Sequence, residues 1–478
     1  MLKAYKYQVY PTAIQKQVFE DGIFASSIYY NFILEFYKTA FDQNKTFSYL
    51  SLKTKDDKSK YLDIVKIIGE KRNKKDEPIR HNEWARLLAD DIDYHQKLFF
   101  KQNGDPKGSW VDIAEACATY AIELYRKQLN DNTVSEPHPL LKLDRGALQM
   151  AREAVKNAIK KFWSTRTKEK PMKGFPNFKT NKNPNRSFQF SPNFKINFDF
   201  ANRNMRYNSK KWDIGNIKIG KGRIPPENSI YRTITISKTT TNKFFVSVLI
   251  DDKLPIPDTK AVDNVIGIDI GFTERYASLS NGVIIPSVKR LKKELNRLTH
   301  LQRMASKKLK RNNKGFPLAN KEQSSNYFKA VAKVSKCQEK ITNFRHNFLH
   351  QITNDLIKSE FDTFALETLK IKEMMIGDDN KLSNKQKQNI NRNIADASIF
   401  TFIMFLTYKA QWKGKNIIKV DKYFASSQLC SCCGYKNADV KDLSIRKWTC
   451  PECNTEHDRD INAAINIRSQ AINSLRNS

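Results

Sequence analysis

Three carboxylates sit where acids are costly. Asp269 lies inside the apolar run VIGIDIG, Glu367 ends the apolar run FALE, and Asp460 stands where DINAAINI opens a helical pattern with Ile461, Ala464 and Ile465 inward. An ionised acid in an apolar strand costs several kcal/mol unless it is paired or bound to a cation. Three of them, drawn from distant parts of the chain, share that burden if they hold two Mg²⁺ ions about 4 Å apart. Such a pair activates water and stabilises the leaving oxygen in phosphodiester hydrolysis. For any single acid a cap or a salt bridge is the simpler role; Asp458 and Asp421 are read as caps or surface residues.

A second constellation asks for a different metal. Cys430-x₂-Cys433, sixteen intervening residues and Cys450-x₂-Cys453 have the spacing of a four-thiolate zinc ribbon. Two knuckles with a short strand pair near IRKWTC are the expected shape. Cys432 competes with its neighbours, but the CxxC spacing favours Cys430 with Cys433. His457 is a further candidate ligand, although four thiolates already close a structural site. Zinc then does no chemistry; it staples an insertion whose end delivers Asp460 to the other acids.

The elements that must position these groups follow from periodicity. KAYKYQVY alternates as a strand, Pro11 stops it, and Thr12 with Gln15 reads as a capping box opening a helix with Ile14, Val18, Phe24, Ile28, Phe32 and Ile33 on one stripe. Helical sequence continues to about residue 170, where Leu148, Ala151, Val155, Ala158, Ile159 and Phe162 form one face. From KGFPNFK onward the texture is β-rich, with RTITISK and KFFVSVLID paired across Thr239–Asn242, and the first strand is a candidate to join that sheet. LPIPDTKAVDN is a linker. VIGIDIG is a buried strand whose glycines admit a close neighbour, LSNGVII a hairpin on Asn281-Gly282, and FDTFALETL and NIIKVDKYF two more strands. Between them, residues 289–314 carry many cations and a single acid, Glu294, which reads as a nucleic-acid track. The order strand-Asp, strand-Glu, helix-Asp is that of an RNase H-like nuclease.

The bulk numbers agree. The chain of 478 residues carries a formal charge of +34, and its pI is near 9.7. A like-charged surface of that size calls for a polyanion, DNA or RNA. No stretch has the roughly 20 apolar residues of a membrane span, and MLKAYKYQVYP lacks a secretory apolar core, so a cytoplasmic or nucleoid-associated protein is expected. Five of the seven cysteines fall between Cys430 and Cys453, which suits metal binding in a reducing compartment; Cys117 and Cys337 are read as buried.

With SSQLCSCCG, WTCPECNTEHDRDINAAINI, GIDIG and FALETLKI in hand, the chain resembles TnpB, the transposon-encoded relative of the compact type V CRISPR effectors. MLKAYKYQVYPT, KGFPNFK and NIADASIFTFIMFLTYKAQWKG extend the resemblance over most of the sequence. It implies a multidomain α+β protein: a wedge N-terminal strand (1–11), a helical recognition lobe (12–171, expanded at about 40–140), a wedge β-barrel (172–258), a RuvC-like nuclease domain (263–427), a zinc-ribbon, target-nucleic-acid-binding insertion (428–456) and a RuvC-like C-terminal helix (457–478). It also implies catalysis and Mg²⁺ binding by Asp269, Glu367 and Asp460, one structural Zn²⁺ on Cys430, Cys433, Cys450 and Cys453, and a lid near residues 377–393. The partners implied are a noncoding guide RNA and target double-stranded DNA carrying an adjacent motif. The expanded lobe leaves three stations open: TnpB, a compact CRISPR effector, or an intermediate, with a homodimer as one use of the expansion. A non-catalytic zinc-ribbon DNA-binding protein and an acidic-triad transposase are the readings from other classes.

Overall fold

The structure, a computed structural model, describes residues 1–43, short pieces between 66 and 141, and residues 145–476 apart from 166–173, 181–185, 191–195, 208–214, 272–273, 314, 369–397, 422–423 and 443. Cys117, most of the expanded segment and the lid expected near residues 377–393 lie outside the described residues. The chain divides into two units, Met1–Leu254 and Pro255–Ser478.

The first unit is built on a seven-stranded antiparallel sheet. Its strands are β1 (Leu2–Tyr10), β2 (Arg186–Phe190), β3 (Ile196–Asp199), β4 (Asn204–Tyr207), β5 (Asn216–Ile219), β6 (Ile230–Lys238) and β7 (Phe244–Asp251), in the order β2-β6-β7-β1-β5-β4-β3. The first strand is therefore central, paired with β7 along Leu2–Val9 and with β5 at Val9 and Tyr10. Its alternation is the cause: Tyr5, Tyr7 and Val9 are buried while Ala4, Lys6 and Tyr10 are exposed. The sheet curls enough for Phe198 of β3 to stack on Tyr231 of β6, with ring centroids 5.9 Å apart.

Helix α1 (Ala13–Gln43) starts at the expected capping box. Thr12 N donates to Gln15 Oε1 at 2.9 Å, and Gln15 N to Thr12 Oγ1 at 3.4 Å. Phe19 packs on Phe244 of the sheet with ring centroids 5.7 Å apart. Ile14 departs from the expected stripe: it is 77% exposed, in a first turn whose buried side chain is Gln15. Helix α2 (Arg145–Thr165) buries Ala151, Val155, Ile159 and Phe162, and its Trp163 indole donates to the Tyr37 hydroxyl of α1.

The second unit holds a five-stranded sheet in the order β10-β9-β8-β11-β12, from β8 (Val265–Ile270), β9 (Arg275–Leu279), β10 (Ile284–Pro286), β11 (Thr363–Glu367) and β12 (Asn416–Val420). Strands β8, β11 and β12 are parallel; β9 and β10 are antiparallel additions. Between β10 and β11 run α3 (Lys289–Lys308) and α4 (Ser325–Lys358), followed later by α5 (Ile399–Trp412). One face of the sheet, with Ile266, Ile268, Phe364 and Leu366, packs against Leu349, Ile352 and Leu356 of α4 and Phe402 and Leu406 of α5. The other face, with Val265, Ala365 and Val420, packs against Ile467 and Ala471 of α6 (Arg459–Arg476). Glu294, the lone acid of α3, is buried and bonded to Lys340 of α4, while the buried Cys337 thiol lies 3.7 Å from its carbonyl. A two-stranded ribbon, β13 (Lys447–Thr449) against β14 (Glu456–Asp458), completes the unit. Among the described residues no helix is long and apolar enough to cross a membrane.

Candidate metal centres

Side chains two residues apart on a strand share a face. Gly267 and Asp269 therefore lie on one face of β8. The parallel register places Ala365 beside Gly267 and Leu366 beside Ile268, so Glu367, one step on, stands beside Asp269. That face is the one α6 covers, and the covering is close. A Cβ on Gly267 would lie 2.0 Å from the Ala464 carbonyl oxygen, so a glycine is required there. The first turn of α6 carries Asp460. Sequence residues 269, 367 and 460 thus meet at the carboxyl ends of two adjacent parallel strands, the usual place for a site in such sheets.

Their electrostatics show the proximity. Asp269 still reaches solvent, being of intermediate exposure, but the protein atoms around it push its carboxyl up to about 7. Desolvation is the main cause and the charges of Asp460 and Glu367 add to it, against Arg459 and Arg446. Glu367 is also raised, by burial. Asp460 is held by two arginines, with Arg446 Nη1 at 3.2 Å from Oδ1 and Arg275 Nη1 at 3.5 Å from Oδ2. Asp458 is the cap it was expected to be: its Oδ1 accepts from the amides of Asp460 and Ile461, each at 3.2 Å. It also receives Arg275, a partner the sequence did not announce.

The thiols come together more tightly. The sulfurs of Cys430, Cys433, Cys450 and Cys453 all lie within 4.8 Å of one another, the one such group of metal-ligating side chains among the described residues. Two of the separations are 3.6 and 3.5 Å, close to the roughly 3.8 Å edge of a tetrahedron with 2.3 Å Zn–S bonds. The donor set therefore fits zinc. Each CxxC forms the same knuckle: Gly434 N donates to Cys430 O and Asn454 N to Cys450 O, both at 2.9 Å, with Gly434 at φ 81° and Asn454 at φ 52°. Cys432 is exposed and outside the group. His457 is buried, with Nε2 3.0 Å from Cys430 Sγ, beside the sulfur group and not a member of it.

The inner face of α6 differs from the expected one. Ala464 is buried, but Ile461 and Ile465 are half-buried, and Asn462 and Asn466 are buried in their place. The reason is that α6 is covered on a second side by the chain leading into the ribbon. Asn462 donates to Leu429 O at 2.7 Å and accepts from Ser431 N at 2.9 Å, and Asn466 donates to Ser426 O and Leu429 O. These two asparagines tie the thiol group to the helix that carries Asp460. Their i, i+4 spacing was the available signal.

Comparison with known proteins places this arrangement. Residues 245–377 match the family described as "Probable transposase" (OrfB of IS605), residues 400–467 the "Cas12f1-like, TNB domain", and residues 1–46 a "Helix-turn-helix domain". In this chain Leu2–Tyr10 form a strand and Ala13–Gln43 one long helix. A Streptomyces pristinaespiralis protein named "Putative RNA-guided DNA endonuclease" is 31% identical over 321 residues, 67% of this chain and 70% of the relative. An Escherichia coli K12 protein of the same description, InsQ, is 25% identical over 67% of this chain and 73% of its own length. A Cas12f1–sgRNA–target DNA complex aligns over 98% of both chains with a TM-score of 0.45 and 16% identity. The sheets, the helices and the thiol group define a mixed α/β protein with one group of side chains that could hold a zinc ion and, apart from it, a cluster of carboxylates. The chain belongs to the family of TnpB and the compact type V effectors.

Proposed function

We propose that this protein is an RNA-guided DNA endonuclease of the TnpB type. It binds a noncoding guide RNA, recognises a short motif beside its target and hydrolyses DNA at one RuvC-like site. The carrying observation is the meeting of three carboxylates from β8, β11 and α6, with Asp269 pushed up to about 7 by burial and by its two acidic neighbours. A buried acid raised by two acidic neighbours is suited to holding a cation, and phosphodiester cleavage is the chemistry that a basic, nucleic-acid-binding protein has for it.

On this reading Asp269, Glu367 and Asp460 hold two Mg²⁺ ions. When bound, the ions supply an activated water and neutralise charge on the leaving oxygen. The chain's own part is to set the carboxylates. β8 and β11 fix Asp269 beside Glu367, and the Asp458 cap with Arg275 fixes the turn bearing Asp460. One Zn²⁺ on Cys430, Cys433, Cys450 and Cys453 keeps the ribbon folded and takes no part in cleavage. We assign the curled sheet of the first unit to the wedge (1–11 and 172–258), residues 12–171 to the recognition lobe, 263–427 and 457–478 to the RuvC-like domain, and 428–456 to the inserted ribbon. The protein works in the cytoplasm, on the nucleoid.

The test is to express the gene with its native flanking DNA and sequence the RNA that copurifies. One discrete RNA ending in sequence from outside the element, and Mg²⁺-dependent cutting of matching DNA, are expected. A repeat-derived guide moves the protein to the CRISPR effectors. Only bulk RNA, with no cutting, refutes the guided reading.

A further inference from the structure

Helices α3 and α4 are joined by a turn that is built more firmly than a connection needs. Asn312 N donates to Phe316 O at 2.8 Å, and Phe316 N donates back to Asn312 Oδ1 at 2.9 Å. Arg311 and Pro317 form an antiparallel bridge, and Gly315 takes the left-handed φ of 77° that closes the turn. Behind them the buried Gln323 accepts from Lys310 N at 2.9 Å and donates to the carbonyls of Lys310 and Leu318 at 3.0 and 3.1 Å. Arg311 Nη1 also donates to Gly315 O at 2.9 Å, and none of these bonds uses the Phe316 ring, which is 65% exposed beside an exposed Pro317.

The surroundings of that ring are cationic. Lys307, Lys308, Lys310 and Arg311 are exposed on the approach to the turn. The acid that follows, Glu322, is spent on the Ala319 amide at 2.9 Å. An exposed aromatic ring on a hydrogen-bonded turn among cations is complementary to a base flanked by phosphates. An acidic peptide would match the cations and leave the ring without a partner. A paired duplex would offer phosphates but no open base.

We propose that Phe316 is a stacking finger for an unpaired base of a single-stranded polynucleotide, with Lys310 and Arg311 on the adjoining phosphates. The inference needs neither guide nor Mg²⁺, so its failure leaves the nuclease reading standing and the reverse holds as well. The probes are octamers of uridylate and of deoxythymidylate, each with one 5-iodo base, irradiated on the full chain and mapped by peptide mass. A crosslink at Phe316 is expected. Phe316→Ala should abolish it and weaken octamer binding about 5- to 160-fold without changing the salt slope, and Phe316→Tyr should restore both. Lys310→Ala with Arg311→Ala should instead lower the salt slope by about 1.4. Crosslinks confined to other sites, or unchanged affinity in Phe316→Ala, overturn the proposal. The octamer that crosslinks shows whether the finger serves RNA or DNA.

Discussion

Arg275 on β9 donates from one guanidinium nitrogen to both carboxylate oxygens of Asp458, at 2.7 and 2.8 Å, while Asp458 caps the helix that carries Asp460. The arginine thus fixes the start of α6 through the cap. Burial works to raise Asp458, but the Arg275 hydrogen bond and the two amides prevail and hold it below the usual carboxylate range.

Arg275→Ala should cost about 1–3 kcal/mol of stability at neutral pH. An acid with a depressed folded value stabilises the fold above its unfolded value near 4, and that contribution is lost as pH falls through the folded value. The difference between wild type and variant should therefore shrink below about pH 4. Denaturant melts at pH 7 and pH 3 test this; an equal gap at both would remove Asp458 from the account.

Asp269 carries the opposite sign. Its folded value, about 7, stands above the ordinary 3.8. The folded state therefore holds the proton more tightly, and stability from this group is greatest at low pH and is lost as pH rises towards 7. In chelator, Asp269→Asn should raise Tm by at least about 3 °C at pH 8 and change it little at pH 4. The same substitution should abolish DNA cleavage while guide RNA binding persists. A variant no more stable than wild type at pH 8 would mean that Asp269 is not crowded by its neighbours.

Cys450→Ser should release zinc and loosen the ribbon, and with it the Asn462 and Asn466 ties to α6. Metal analysis by mass spectrometry should give one zinc per wild-type chain and a marked loss in the variant. Cys432→Ser should keep the full complement, because Cys432 lies outside the sulfur group. Zinc lost from Cys432→Ser and retained by Cys450→Ser would reverse the assignment.

Much of this arrangement was legible because it rests on local pattern. Tyr5, Tyr7 and Val9 alternate, Thr12 and Gln15 close a box, and the two CxxC pairs fix their own knuckles. The acids stood out because Asp269 interrupts an apolar run, Glu367 ends one and Asp460 opens a helical pattern. What did not show was anything set by packing between distant elements. Arg275 gains its meaning from Asp458, 183 positions away, and no window on the sequence joins them. Ile14 fits the stripe of α1 by period, yet the packing leaves it exposed. Asn462 and Asn466 sit inward because the ribbon's lead-in covers a second side of α6, which periodicity alone assigns to solvent.

Gly267 is the residue on which that packing turns. The helix backbone comes so close that a methyl group there would meet the Ala464 oxygen at 2.0 Å and the Arg468 amide nitrogen at 2.8 Å. Neither neighbour is the far end of a flexible side chain, so the strain can be relieved only by moving α6 away from β8. Gly267→Ala should therefore destabilise the fold by about 1–3 kcal/mol or more. It should also part Asp460 from Asp269, since one is on the helix and the other on the strand. Cleavage should fall further than the stability loss explains at temperatures where the variant is fully folded. Because the Asp460 charge helps to raise Asp269, the same shift should relax Asp269 towards its ordinary value, and ¹³C NMR titration of that carboxyl would register the change. An alanine variant with wild-type cleavage and an unmoved titration would show that α6 does not set the spacing of the acids.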